Sequence, residues 1–425
     1  MVAMYQTVKK MFDTAAYIDS LDMFSIRLGL DSVKNLMQKA GNPEKNLRFI
    51  HIAGTNGKGS TGAMLERCLR QAGFVTGFYT SPHLIDIRER FRINGKAVSV
   101  ESFNRCGNEL FQRSAGEKSS YFEFATVLAM KIFAEAKVDV VIWETGLGGR
   151  LDATNAITPE ASIITNIALD HQKHLGNTIE AVAGEKSRII KPGKPFFHGV
   201  LPDAAKAVIY SWAKEMDSEI HPPRADVPEI TGFDGVCQVF DYDGRKISLA
   251  LPGRMQRENF RIVYEVLSYF AEKWNFSLEK ALDGLKEVRW PARFQHIGQV
   301  IVDGGHNPDG VRALTEAVTE RYPEEKFLIV YAAFGDKHAP ECLKFLGKIA
   351  DEFIFTIPGV DGRAAYSPEE LTGFTGKTAV IENDPVLAVK RAVAQNRRRV
   401  IISGSLYLAG TALQLLLDPE EVLDI

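Results

Sequence analysis

One short stretch limits the architecture more than any other. It is Ala53-Gly-Thr-Asn-Gly-Lys-Gly-Ser-Thr61, set between the apolar run Phe49 to Ala53 and a segment of helical pattern, Ser60 to Gln71. A strand, a glycine-rich turn and a helix N-terminus in that order call for a sheet with helices packed on it. They also make a cradle for phosphate, because backbone N–H groups point into the turn and the helix dipole favours negative charge. Lys58 can reach the terminal phosphates, and Ser60 or Thr61 can offer a hydroxyl to Mg²⁺. Gly59 stands between the lysine and the hydroxyls, a departure from the general phosphate-loop spacing. The bland alternative is a tight turn with no ligand; three glycines and a lysine point instead to ATP.

Apolar β-branched runs alternate with helical stretches along nearly the whole chain. Strands are expected at Phe49–Ala53, Val75–Thr80, Val138–Glu144, Ser162–Ile167 and Pro195–Gly199, and helices at Val100–Arg113, Phe122–Ala136 and Thr178–Ile190. Cys237–Leu251 alternates in period two around Asp241-Tyr-Asp-Gly244, which reads as a hairpin at the sheet edge. Near Val288-Arg-Trp-Pro-Ala-Arg293 the pattern restarts. Strands follow at Val300–Asp303, Phe327–Tyr331, Phe353–Ile357 and Arg399–Ser403, and helices at Asp309–Glu320, Glu341–Ile349 and Pro385–Ala394. The expected fold is α/β with two domains, as suits 425 residues. Residues 1–292 would form a phosphate-loop ATPase-like domain with a mostly parallel sheet, flanking helices and an edge hairpin; residues 293–425 would form a smaller α/β domain. A ligand between them, at the C-terminal ends of strands, is the expected geometry.

A net charge of −3 supplies no electrostatic reason to expect nucleic acid or an anionic membrane as partner. The four cysteines are scattered without a CxxC pair, which argues against a disulfide framework or structural zinc. No apolar run approaches a membrane span and the N-terminus has no signal-peptide core, so a cytoplasmic location is expected.

Glu144 closes the run Val-Asp-Val-Val-Ile-Trp-Glu, where a parallel strand meets the ligand crevice and a carboxylate can order Mg²⁺. The glycines after it lack the spacing of a dinucleotide fingerprint, since Leu151 stands where the third is required. His171, beyond the next strand, could complete a second divalent site; His174 reads as solvated. Lys186 lies on a helical stretch closed by Pro192-Gly193, and periodicity alone reads it as a surface lysine near a helix C-terminus. Asp303-Gly-Gly-His-Asn-Pro308 is a strand end and a turn whose carboxylate could hold a ribose hydroxyl. Arg293 could neutralise a transferring phosphoryl group. Both are as readily interdomain structure. In Ser120-Tyr-Phe-Glu-Phe124, Phe122 reads as core, although Glu123 and two phenylalanines would suit a flat heterocycle.

Taken in order, these strings resemble the folylpolyglutamate synthase/dihydrofolate synthase family of the Mur-ligase superfamily, along essentially the whole chain. The matching strings are Phe24-Ser-Ile-Arg-Leu-Gly-Leu30, Ile50 to Thr61, Tyr79-Thr-Ser-Pro-His-Leu84, Glu144 to Asn155, Asp170-His171, Glu185-Lys186, Lys191-Pro-Gly193, Asp303 to Pro308 and Ser403-Gly-Ser-Leu-Tyr-Leu408. The resemblance implies that Ser81, Glu144, His171 and Lys186 hold two Mg²⁺ ions, with Lys186 carbamylated to become an oxygen donor. It implies that Gly57, Lys58, Gly59 and Ser60 cradle the ATP phosphates and that Asn259, Arg293 and Asp303 contact the nucleotide. It further implies a pterin near Gly29, Leu30, Tyr121, Phe122, Glu123, Phe124, Leu151, Asp152 and Ala153. Departures stand at Ser187-Arg188, where an alanine-glycine pair is usual and the arginine could pair with a carbamate or crowd it, and at Met255, Gln295 and His338.

The activity implied is ATP-dependent ligation of L-glutamate to dihydropteroate, to a reduced folate, or to both, through an acyl phosphate, by a monomer. Two rivals remain at this point. One is a Mur-type ligase for a non-folate acid, although the stretch ahead of Phe49 is short for the extra domain of cell-wall ligases. The other is an ATP-hydrolysing switch or motor, which leaves the second domain unexplained.

Overall fold

The computed structural model describes residues 12–21, 29–114, 119–360, 362–395 and 398–424. Met1 to Met11 and the first five residues of the Phe24–Leu30 string lie outside them. Eight strands form the first sheet: β1 (Phe49–Ala53), β2 (Thr76–Tyr79), β3 (Phe91–Ile93), β4 (Lys96–Ala97), β5 (Val140–Glu144), β6 (Ala161–Ile164), β7 (Phe196–His198) and β8 (Ile220–His221). Their order is β4-β3-β2-β5-β1-β6-β7-β8, parallel except for the β3 and β4 hairpin at one edge.

Continuous apolar runs suit this sheet because both faces are covered. In β1 and β5, Ile50, Ile52, Val140 and Ile142 face a core shared with the helices Lys58–Ala72 and Arg254–Lys273. Phe49, Val141 and Trp143 face the other way, onto the helices Asp31–Ala40, Val100–Ser114 and Tyr121–Glu135. The hairpin expected at Cys237–Leu251 forms as β10 (Cys237–Tyr242) and β11 (Arg245–Leu249). With β9 (Ile230–Asp234) it makes a three-stranded antiparallel sheet of its own rather than extending the large one. Its Phe240 and Tyr242 pack edge-on against Phe260 of the long helix Arg254–Lys273, and that helix sets its position.

After Arg293 a third sheet begins: β12 (Gln295–Ile297), β13 (Val300–Val302), β14 (Phe327–Tyr331), β15 (Ala350–Phe355), β16 (Thr378–Ile381) and β17 (Val400–Ser403). Its order is β12-β13-β17-β14-β15-β16, parallel apart from β12. Alternate residues of β13 and β14 again feed two cores, so this is a second layered α/β unit. Among the described residues no helix is long and apolar enough to cross a membrane.

Several expected elements end earlier, two of them beside the glycine loop. β6 stops at Ile164 because Thr165 and Asn166 leave the sheet to hold the glycine loop. The helix bearing Lys186 runs Ile179–Ser187 and stops well short of Pro192-Gly193.

Candidate active site

β1, β5 and β6 are neighbours in register, with Ile52 opposite Glu144 and Ala53 opposite Ile164, so the loops after them open at one edge of the sheet. Facing that edge are the linker and the Asp303–Asn307 turn of the second unit. Together they enclose a cavity of about 740 Å³.

The glycine loop forms the floor. The helix Lys58–Ala72 starts from Gly57, which is in the left-handed region and offers no side-chain cap, leaving first-turn N–H groups for an anion. The Lys58 ammonium is folded back on the Gly54 and Thr55 carbonyls at 3.2 and 3.4 Å. Asn166 Oδ1 accepts from the N–H groups of Thr55 and Asn56, and Thr165 donates to the Asn56 carbonyl at 2.6 Å. The Asn259 carboxamide stands where any side chain on Gly57 would be, behind the loop rather than on the cavity wall.

Glu144 is 4% exposed and accepts from the Thr80 hydroxyl and the Ser81 N–H. Burial raises its carboxyl above the usual range, opposed chiefly by the charge of Lys58. It makes no ion pair among the described residues. A buried carboxylate with no ion-pair partner, sharing the cavity lining with Ser81, belongs to the hard-oxygen donors that Mg²⁺ takes when phosphates and water supply the rest. No three His, Cys, Asp or Glu side chains converge on one metal-binding point among the described residues, so any metal here depends on ligands from elsewhere.

Lys186 is buried, which corrects the surface reading drawn from periodicity. Its Nζ donates to the Gly54 carbonyl at 2.9 Å. Burial, helped by the charge of Lys58, lowers its pKa to about 7. Arg188 neither pairs with it nor crowds it, because the guanidinium stacks 3.7 Å over the Trp212 ring. His171 lies on the wall with a positive φ, half exposed, 3.9 Å from Asp170.

Arg293 reaches the cavity from the linker. Both Asp303 oxygens are taken by backbone, one by the Phe294 N–H at 2.9 Å and one by Gly305 at 2.8 Å. That carboxylate therefore braces the linker against its own turn. Three further residues escaped the sequence reading. Asn307 donates to Asn56 of the glycine loop at 3.2 Å, Gln256 lies 3.4 Å from Ser60 Oγ, and Lys337 meets Asp170 at 3.0 Å as a largely buried pair between the two units. Asn307 lay in the Asp303–Pro308 string and Lys337 next to the departure at His338, but only their three-dimensional neighbours reveal the contact.

The far wall is aromatic and acidic: Gly29, Tyr121, Phe122, Glu123, Leu151, Asp152 and Ala153 line it. Ser120 and Glu123 form a capping box that consumes Glu123 Oε2, while Oε1 is buried without a partner among the described residues. Phe122, expected in the core, is on this wall. Phe124 is not; it is fully buried and meets Tyr17 edge-on at 4.9 Å. Leu30 also lies off the wall, packed against the core beneath it.

Residues 52–266 match the family model of the Mur ligase middle domain, and residues 292–406 match that of the Mur ligase glutamate ligase domain. The chain is 32% identical to a dihydrofolate synthase/folylpolyglutamate synthase of Bacillus subtilis, over 93% of this chain and 96% of that protein. It is also 32% identical to a folylpolyglutamate synthase of Lacticaseibacillus casei, over 95% of this chain and 98% of that one. Among solved structures, a Mycobacterium tuberculosis folylpolyglutamate synthase complexed with ADP superposes with a TM-score of 0.86 at 27% identity, covering 96% of this chain and 100% of that one. E. coli FolC in complex with DHPP and ADP superposes at 0.83, also at 27% identity, over 95% and 97%.

Proposed function

The chain belongs to the folylpolyglutamate synthase/dihydrofolate synthase family of Mur ligases, ATP-dependent glutamate ligases, and on that premise we propose how its residues share the work. The observation that carries the proposal is one cavity with a glycine-rich phosphate cradle as its floor and an aromatic, acidic wall.

ATP lies with its phosphates on Gly57, Lys58, Gly59 and Ser60, with Asn259 behind the loop and Arg293 and Asp303 on the nucleotide side. A folate-type acceptor, dihydropteroate or a reduced folate, lies against Tyr121, Phe122, Glu123 and Leu151 to Ala153. Its carboxylate then attacks the γ-phosphorus. Lys58 and Arg293 neutralise the charge that spreads over the phosphoryl oxygens. Ser81 and Glu144 would hold one Mg²⁺, and His171 with a carbamylated Lys186 a second. When bound, Mg²⁺ withdraws charge from the same oxygens. An uncharged amine is the form that adds CO₂, and the lowered pKa of Lys186 favours that form near neutrality. The acyl phosphate is attacked by the amine of L-glutamate, releasing phosphate. The Asp170–Lys337 pair keeps the two units closed over it against water.

The domain division at residue 292, monomeric behaviour and a cytoplasmic location belong to the same reading; four free, buried thiols agree with a reducing compartment. A non-folate acid as acceptor is not favoured, because relatives matched over nearly their whole length are folate enzymes. The test is incubation with Mg·ATP, L-glutamate and bicarbonate plus either dihydropteroate or tetrahydrofolate, read by mass spectrometry. One glutamyl unit added to either acceptor, with ADP released, is the expected result. ADP release with both acceptors unchanged would contradict it.

A further inference from the structure

His51 sits in the middle of β1 among Phe49, Ile50, Ile52 and Ala53, and none of its surface is exposed. A histidine in a strand buried on both faces costs desolvation unless its polar atoms are used. One is used. His51 Nε2 lies 2.9 Å from Thr154 Oγ1, and Thr154 Oγ1 lies 2.5 Å from Asp152 Oδ1. Nδ1 has no partner among the described residues. The partners decide the direction of the chain. Burial raises the pKa of the Asp152 carboxyl, and hydrogen bonds from Thr154 and the Leu147 N–H oppose it. As the ionised carboxylate it only accepts from the Thr154 hydroxyl, so that oxygen accepts from His51, whose proton is then on Nε2. Burial keeps the ring neutral, with its pKa lowered to about 3.

Thr154 is held from two adjacent strands at once. Its hydroxyl meets His51 of β1, and its carbonyl accepts from the Trp143 indole N–H of β5 at 3.0 Å. The other oxygen of Asp152 accepts the Leu147 N–H at 2.7 Å, so the carboxylate is fixed at both ends where it reaches the cavity wall.

We infer that His51 is a positioning residue for the folate-type acceptor: through the Thr154 hydroxyl it holds the Asp152 carboxylate as a rigid acceptor for the N–H groups of the heterocycle. The inference rests on the proposal that Asp152 belongs to the acceptor subsite. It adds a residue that touches neither substrate and lies on the strand that runs directly into the phosphate loop.

That location supplies an internal control. A general disturbance of β1 would reach the loop and raise the KM for ATP, whereas loss of the relay would act on the acceptor alone. The experiment is steady-state kinetics of H51L, H51Q, T154V, H51L/T154V and D152N with dihydropteroate and tetrahydrofolate, each variant checked by thermal melting. Loss of one hydrogen bond of the relay, His51 to the Thr154 hydroxyl in H51L and the Thr154 hydroxyl to the Asp152 carboxylate in T154V, predicts an acceptor KM raised about tenfold in each, with little change in the KM for ATP. H51Q, which keeps a donor at similar reach, is expected to restore most of the affinity. The double variant is expected to be no worse than either single one, since both remove the same link. If H51L does not fold, T154V carries the same test. An unchanged acceptor KM in T154V and H51L, with D152N still raising it, overturns the relay. A parallel rise in the KM for ATP overturns it too. An unchanged acceptor KM in D152N overturns the subsite reading, and the relay with it.

Discussion

An amine 2.9 Å from the Gly54 carbonyl and buried beneath the phosphate loop has two ways to avoid an unpaired charge: lose its proton or become an anion. Lys186 is poised for both, so on the proposed carbamate the ligase is expected to respond to dissolved CO₂. Activity at neutral pH is expected to fall when bicarbonate is stripped from the buffer and to return when it is restored. K186A is expected to lose at least about a hundredfold in kcat and to ignore bicarbonate. A wild-type enzyme indifferent to bicarbonate would contradict the carbamate. This residue also marks a limit of legibility. Its helix looks like a surface helix with a basic last turn, and nothing local reveals that the chain packs it under Gly54. Phe122 and Phe124 fail for a related reason. The helix Tyr121–Glu135 is buried on nearly every side, so apolar periodicity cannot say which face meets the cavity.

At the scale of elements, the phosphate loop and the linker touch. The Trp290 ring occupies the space beside Gly59, and a Cβ there would stand 2.7 Å from its Nε1. The ring also lies 5.3 Å from that of Phe78, so it has little room to retreat. G59A is expected to lose about 1–3 kcal/mol of stability and to bind ATP more weakly, measurable by melting and by nucleotide titration. Equal melting temperature and ATP affinity would show that the linker yields freely. Most strands were legible here: β1 and β14 fall on their apolar runs, and the helix Pro385–Ala394 has the bounds expected for it. The long helix Arg254–Lys273 was overlooked, although Phe260, Val263, Leu267 and Phe270 repeat at helical spacing. β4 and β16 are short and partly exposed, and carry too little pattern to stand out.

For the whole molecule, stability should depend on pH through histidines the fold keeps neutral. His51 and His83 are lowered to about 3 and His306 to about 4, mainly by burial, from an ordinary value of 6.5. His83 Nδ1 accepts from Arg90 Nε at 2.9 Å, a bond only the neutral ring can make. As pH falls through 6.5 the unfolded chain binds these protons first. The stability they confer is therefore complete above that pH and is lost progressively toward about 4 for His306 and about 3 for His51 and His83. The melting temperature is expected to drop between pH 7 and pH 5, and H83N, which keeps an acceptor, to drop less; an equal drop in H83N would contradict the assignment. The two-domain α/β plan was legible because alternation of runs survives at long range. How the halves meet was not, since the Asp170–Lys337 pair and the Asn56–Asn307 bond join residues far apart in sequence.

The central claim is that one cavity brings the acceptor carboxylate to the γ-phosphate of ATP. The most direct measurement follows ¹⁸O from a labelled acceptor carboxylate during glutamate ligation. One ¹⁸O is expected in the phosphate released for each glutamyl unit added. Glutamylated product formed with unlabelled phosphate would contradict it.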